Sequence, residues 1–350
     1  MVAHGEALAF PPSVTLIERL HRNGIRRLGD KKSGFRYETA QGASISAKDR
    51  ERIAALRIPP AWRDVAIAAS ERPAVQAVGL DAAGRWQYRY HEAHAQRREK
   101  RKQERLRRFA QALPAMRRTI QADLGRPGLP REKVLACALR ILSSCFLRPG
   151  SRVYAEEHGS YGLATLRRKH VSISGDLVSL DFPGKSGKRQ TRQLRDRRVA
   201  RILRELLKTS GRVFRYRDEE GQWTEVRRRH INEYIKGAMG ESFSAKDFRT
   251  WAGTLICACL LSRVEPEPEE SKTVRRKKIV QAVRETAENL GNTPAVCRTS
   301  YISPRVIRSF EKGAAIAACS TAPHDLMARR AAPLAPAEKA VLGLLRNGAH

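Results

Sequence analysis

The chain is poor in acidic side chains: 36 Asp and Glu stand against 68 Lys and Arg in 350 residues, a formal net charge of +32. A field of that sign repels itself unless a polyanion neutralises it, and nucleic acid is the partner the composition points to. A merely basic, ribosome-associated protein is the plainer reading of charge alone. Cysteine is also scarce, with six residues, scattered singly apart from Cys257 and Cys259. There is no CxxC pair and no Cys/His cluster of zinc spacing, which excludes a zinc finger and a disulfide framework and fits a reducing cytosol. Cys257 and Cys259 lie in "AGTLICACLL" and read as buried core thiols. His91 and His94 have no neighbouring ligands and read as surface residues. The longest apolar run is about ten residues, too short to span a bilayer. The N-terminus lacks the charged and apolar regions of a signal peptide, so no membrane partner is expected. "GKS" at 184–186 suggests a P-loop but fails: Ser179 stands where a glycine is needed, and an alternating segment follows Lys185 instead of a helix.

Hydrophobic residues make up 41% of the chain, enough for a real core. The expected fold is α+β, with a small β-rich N-terminal domain over 1–94, a larger, mostly helical domain over 95–317 and an Ala-rich tail over 318–350. After a loop and a short helix at "SVTLIERLHRNG", the segments "SGFRYET", "DVAIAA" and "AVQAVGLDAAGRWQYRYH" alternate like strands, with turns at Gly34, Asp81 and Gly84. Past His94, "AQRREKRKQERLRRFAQALPAMRRTIQADL" has a helical period with Leu106, Phe109 and Leu113 on one side. "REKVLACALRILSSCFL" reads as an apolar helix stopping at Arg148-Pro149-Gly150. "HVSIS", "LVSLDF" and "QTRQL" predict a three-stranded sheet, with Lys185 in the turn before the last strand. Helices are expected near 196–208, 226–239, 247–263, 272–289 and 304–317, with an acidic loop "EPEPEE" and a further helix at "PAEKAVLGLLR". No internal repeat is present.

Four cationic or amide side chains precede a single tyrosine, each at an element end or in a turn: Arg148, Lys185, Arg249 in "KDFRTWAG", and Asn292 in "LGNTPAVCRTSYISP", which also carries Tyr301. Such a set suits attack on a phosphodiester. Charge gathers on the non-bridging oxygens in the transition state, and guanidinium forks match that geometry. A lysine with cationic neighbours can give a proton to the departing oxygen. Nearby arginines also favour ionisation of a phenol whose ordinary pKa is about 10. Taken singly, each residue has an ordinary alternative: an arginine compensating a helix dipole, a tyrosine packing at a helix start.

The blocks "FLRPGSRVYAEEHGSYGLATLRRKHV", "PGKSGK", "KDFRTWAGT" and "LGNTPAVCRTSYISP", in this order, resemble the type IB DNA topoisomerases, with the small poxvirus-like enzymes of bacteria as the nearest branch. "IPPAWRDVAI" and "GRWQYRYH" resemble that branch too, so the likeness covers roughly residues 20–315. The resemblance implies a two-domain clamp around duplex DNA. It implies Tyr301 as nucleophile forming a 3′-phosphotyrosyl link, and Lys185 as general acid for the 5′ oxygen. Arg148 and Arg249 would stabilise the transition state, and Asn292, where the family carries His or Asn, would donate to a non-bridging oxygen. It implies supercoil relaxation needing neither ATP nor metal. A monomer is expected, because one catalytic set resides in one chain, acting in the cytoplasm on the nucleoid. Gln87, Tyr88 and Tyr90 of "QYRY" would contact DNA in the groove, with Tyr88 and Tyr90 on one strand face and Gln87 on the other. A tyrosine pair packing a sheet is the alternative. Tyr154 matches a phosphate-contacting tyrosine. "LRRKH" at 166–170 is either a backbone contact or a solvated surface. Two departures are Pro149, where the family carries an aliphatic residue, and Ser151, where some relatives are basic.

Two other readings stay open. Tyrosine recombinases share this chemistry, but they show HxxR where this chain has Lys246 ahead of Arg249. A non-catalytic duplex-binding protein would not need competent residues at all five positions.

Overall fold

The structure, a computed structural model, describes residues 14–264, 270–316, 319 and 331–346. The stretch 265–269 of the expected acidic loop lies outside the described residues. By contacts the chain divides into two units, Met1–Lys102 and Gln103–His350.

The first unit is built on five antiparallel strands in the order β2-β1-β3-β4-β5: β1 (Ile25–Asp30), β2 (Gly34–Glu38), β3 (Arg63–Ile67), β4 (Val75–Leu80) and β5 (Trp86–Tyr90). Period-two alternation divides β3 between two cores. Val65 and Ile67 pack with Ile25, Ile45, Ile53 and Trp62. Ala66, with Ala68 just past the strand, packs with Leu20, Val78 and Tyr88. Leu20 comes from α1 (Val14–Asn23) and Ile53 from α2 (Ala47–Ala55). The β1 strand and α2 were not legible in the sequence. β1 reads "IRRLGD" with Ile25 its only buried residue, and α2 buries only Ile53. Ser46 starts α2 by accepting from the Asp49 N–H at 3.1 Å.

The long basic helix α3 (Glu92–Asp123) is continuous, and Leu106, Phe109 and Leu113 form its buried stripe as expected. In the second unit α4 (Arg131–Cys145) and α8 (Ala245–Arg263) are buried almost all round. They form the centre of the core, where each fully buried Leu, Ile or Phe contributes roughly 1.5–3 kcal/mol. The expected three-stranded sheet is present as β6 (Val171–Ser174), β7 (Leu177–Pro183) and β8 (Arg189–Arg195), antiparallel in sequence order. Helices α6 (Arg197–Leu206), α7 (Arg228–Met239), α9 (Lys272–Leu290) and α11 (Pro304–Glu311) lie where periodicity put them, α11 ending earlier. Four elements of this unit were not expected: α5 (Arg152–Glu157), β9 (Arg215–Arg217) and β10 (Trp223–Glu225), which form a hairpin, and α10 (Pro294–Ser300). In the hairpin, Arg217 and Arg215 lie over the Trp223 ring at 4.4 and 5.3 Å.

The apolar helix stops at Cys145, three residues short of the expected Arg148. Phe146 turns left-handed (φ 56, ψ 32) and ends it, a costly conformation for a residue other than glycine. Pro149 therefore costs no helical hydrogen bond. Instead the turn is held by the Leu163 and Ala164 N–H groups, which donate to the carbonyls of Arg148 and Pro149 at 2.9 Å each. Gly162 makes room for it: a Cβ there would stand 2.5 Å from the Gly150 Cα.

The expected C-terminal helix is present as α12 (Pro336–Arg346). Its Glu338 is fully buried and receives both terminal nitrogens of Arg117, from α3, at 2.7 and 3.0 Å. The Ala335 N–H (2.9 Å) and the Trp251 indole N–H (3.4 Å) complete its shell. Arg305 of α11 donates to the Leu345 carbonyl at 2.7 Å. All six cysteines are buried, as expected for Cys257 and Cys259. His94 is stacked on Tyr90 at 5.6 Å, so it is a packed ring and not a free surface side chain. No described helix is long and apolar enough to cross a membrane.

Candidate active site

Tyr301 occupies the joint between α10 and α11. Thr293 caps α10 by accepting from the Val296 N–H, and Pro294 supplies a preset first residue. Tyr301 closes α10 through its N–H to the Cys297 carbonyl at 2.9 Å. Ser303 and Pro304 then start α11. The joint is pinned to α8: the Thr254 hydroxyl donates to the Tyr301 carbonyl (3.2 Å) and accepts from the Ser303 N–H (3.1 Å). Gly253 permits this approach, since a Cβ there would lie 2.7 Å from the Tyr301 carbonyl oxygen. The result is a tyrosine only 9% exposed.

Arg249 lies on the first turns of α8. Asp247 fixes that end by accepting from the Ser244 N–H at 2.8 Å and from two nitrogens of Arg105 at 2.6 and 2.7 Å. Arg249 is 3% exposed, with its guanidinium carbon 5.0 Å from the centre of the Tyr301 ring. Its terminal nitrogens donate to the carbonyls of Phe146 and of Leu290, the latter at 2.8 Å. Burial, with the charge of Arg148 next, pushes its pKa down to about 10, so it is cationic at neutral pH.

Arg148 follows the left-handed Phe146, and Asn292 follows Gly291, itself left-handed (φ 63) at the end of α9. The two meet: an Arg148 terminal nitrogen donates to the Asn292 Oδ1 at 2.5 Å. Two donors at this place, Asn292 Nδ2 and Arg249 Nε, are buried with no acceptor. Burial by itself raises the Tyr301 phenol. The charges of Arg249, Arg148 and Lys246 outweigh it, leaving the pKa below the usual tyrosine value.

The structure therefore brings Arg148, Arg249, Asn292 and Tyr301 together. Lys185 stands apart from them. It is exposed at the tip of the β7–β8 hairpin, where Ser186 and Gly187 are both left-handed (φ 60 and 70), and it has no hydrogen bond or ion pair among the described residues. In the first unit Tyr88 is buried in the sheet core, its ring 6.5 Å from that of Tyr90 on the same face. Tyr90 is half-buried under Arg98 at 4.8 Å. Gln87 donates to Asp81 at 2.9 Å. Tyr154 on α5 is 60% exposed. In "LRRKH" Leu166 and His170 are buried, while Arg167, Arg168 and Lys169 are exposed.

Sequence reasoning placed Lys246 beside Arg249 but missed Thr254 and Arg192 as neighbours of the site. Arg192 was legible as a long cation at an inward position of an alternating strand, between buried Gln190 and Leu194. Among the described residues no cluster of His, Cys, Asp and Glu could hold a metal.

A buried tyrosine among cations, on a helical unit accompanied by a β-rich one, is the plan of an enzyme that exchanges phosphodiester bonds. Comparison with known proteins makes this specific. The family model described as the eukaryotic DNA topoisomerase I catalytic core matches residues 91–318. The bacterial DNA topoisomerase IB N-terminal domain matches residues 34–81. DNA topoisomerase 1B of Acanthamoeba polyphaga mimivirus is 36% identical over 303 residues, spanning 85% of this chain and 88% of its own length. DNA topoisomerase 1B of vaccinia virus (strain Copenhagen) is 26% identical over 237 residues, 66% of this chain and 70% of the viral protein. The chain belongs to the type IB DNA topoisomerase family.

Proposed function

We propose that this chain relaxes positive and negative supercoils in duplex DNA by transient cleavage of one strand through Tyr301. The Tyr301 phenol gives its proton to solvent, and the phenolate oxygen attacks the scissile phosphorus. The bond from phosphorus to the 5′ oxygen breaks, and that oxygen takes a proton from Lys185. Arg148, Arg249 and the Asn292 amide carry the charge that builds on the non-bridging oxygens. The 3′-phosphotyrosyl bond keeps the energy of the phosphodiester, so the strand can swivel and be resealed without ATP. For this step Lys185 must reach the leaving oxygen from its hairpin tip when DNA is bound. The β-rich unit, through Gln87 and Tyr90, and Tyr154 of the helical unit engage the duplex, the two units acting as a clamp; Tyr88, buried in the sheet core, packs instead of touching DNA. The enzyme acts as a monomer on the nucleoid.

One observation supports this reading above the rest. Arg249 Nε and Asn292 Nδ2 are buried donors without acceptors beside a tyrosine whose pKa is lowered. Leaving such groups without partners costs about 1–3 kcal/mol each, a cost that phosphate oxygens accepting from them would offset.

The test is relaxation of a supercoiled plasmid in EDTA without ATP, alongside trapping of the covalent adduct. Relaxation with an adduct in the unaltered protein, and neither in Tyr301→Phe that still binds DNA, is the expected result. Intact supercoils across salt concentrations would refute the activity, and an adduct in Tyr301→Phe would move the nucleophile elsewhere. Binding weakens steeply with salt, because several phosphates are neutralised.

A further inference from the structure

Arg192 projects from β8 toward the ends of two helices. Its Nε donates to the Cys145 carbonyl at 3.2 Å. One terminal nitrogen donates to the Asn289 carbonyl and to Gln190 Oε1, both at 3.2 Å. Cys145 is the last residue of α4, and Asn289 stands one residue before the end of α9. Arg249, arriving from α8, repeats the pattern one residue further along both chains, at Phe146 and Leu290. Two guanidiniums from different elements thus bridge the same pair of helix C-termini in consecutive rungs. Helix C-termini present unpaired carbonyls and the negative end of the dipole. A planar fork with five donors can hold two of them at a fixed spacing, which a lysine ammonium cannot do as rigidly.

Beyond the second rung one chain runs to Arg148 and the other to Asn292, and there the two side chains meet at 2.5 Å. The passage is tight. A Cβ on Gly291 would lie 2.6 Å from Gln190 Oε1 and 3.1 Å from the Arg192 terminal nitrogen. On the other chain, Phe146 is held in its left-handed conformation directly after Cys145, a state that persists only where the surroundings determine it.

We propose that Arg192 is a positioning residue for strand cleavage: by bridging Cys145 and Asn289 it sets the spacing of the α4 and α9 ends, and so the meeting of Arg148 with Asn292. Arg192 acts through these two side chains and not on the phosphate. The inference rests on the reading of Arg148 and Asn292 as transition-state groups.

The experiment compares full-length Arg192→Lys, Asn292→Ala and the double variant in single-turnover cleavage of a suicide duplex. DNA affinity and thermal unfolding are recorded for each. Arg192→Lys is expected to slow cleavage on the order of 10- to 100-fold, the scale of a misplacement near 1 Å, with DNA affinity unchanged. In the Asn292→Ala background the same change slows cleavage by a much smaller factor, because coupled residues are not additive. A full cleavage rate in Arg192→Lys overturns the proposal. So does a loss of DNA affinity that accounts for the slowing, which would make Arg192 a phosphate contact, or an equal factor in both backgrounds. Arg192→Met, which fills the slot without charge, accompanies it; loss of fold in both Arg192 variants would make this a stability residue and refute the proposal. Asn292→Ala slowed beside an unaffected Arg192→Lys removes this inference alone. Asn292→Ala at full rate removes the Asn292 assignment and the route through it.

Discussion

Arg148 donates to the side-chain oxygen of Asn292 at 2.5 Å, and this contact fixes what the amide offers. With Oδ1 occupied by a cation, the group left over is Nδ2, a buried donor without an acceptor. A neutral residue is thereby oriented as a donor by a charged one. The positive charge that Asn292 cannot supply stands beside it on Arg148.

Asn292→Asp keeps the acceptor for Arg148 but removes the donor and cancels the neighbouring charge. Single-turnover cleavage is expected to fall about 100- to 1000-fold, the scale for losing one transition-state donor, with a smaller effect on DNA binding. Cleavage at the unaltered rate would show that Nδ2 does not face the reacting phosphate.

The lowered pKa of Tyr301 predicts a pH profile. With the phenolate attacking as proposed, the cleavage rate rises with pH until the phenol has ionised. The midpoint of that rise lies below the ordinary tyrosine value of about 10, because Arg249 and Arg148 outweigh burial. Arg148→Gln removes one of those charges and moves the midpoint upward. A midpoint unchanged in that variant would mean the profile reports another group.

Lys185→Ala should slow cleavage of ordinary DNA and be rescued on a duplex with a 5′-bridging phosphorothiolate, whose leaving thiolate needs no proton. Equal slowing on both substrates would assign Lys185 to binding.

Glu338→Gln leaves Arg117 buried without a carboxylate. Breaking one side of a buried ion pair costs about 3–5 kcal/mol, so the urea midpoint should fall markedly. Replacing Arg117 by Met as well should recover much of that loss. A midpoint unchanged in the single variant would mean that solvent reaches the pair.

Much of this architecture was legible from pattern. The three strands that hold Lys185 alternate cleanly, and the buried stripe of α3 shows in Leu106, Phe109 and Leu113. What escaped has physical reasons. β1 and α2 each bury a single isoleucine, so they carry almost no periodic signal. α10 is a seven-residue helix set by Thr293 and Pro294, too short for a period to appear. The end of α4 was misjudged because a phenylalanine, not a glycine, takes the left-handed position. Arg148, Arg249, Asn292 and Tyr301 were recognisable as a set through resemblance. The ladder of carbonyl bridges that holds them was not, since it joins β8 and α8 to two helix ends distant in sequence.

Arg117 and Glu338 are 221 positions apart along the chain. Contacts of such separation must overcome a large loop-closure entropy before they stabilise anything, so they tend to form late. Tyr301 and its arginines are all translated before Glu338. While the ribosome works through the residues in between, Arg117 and Trp251 have no carboxylate from α12 to bind. The order of synthesis thus makes final packing of the helical unit a late event, one that begins only after Tyr301 has been made.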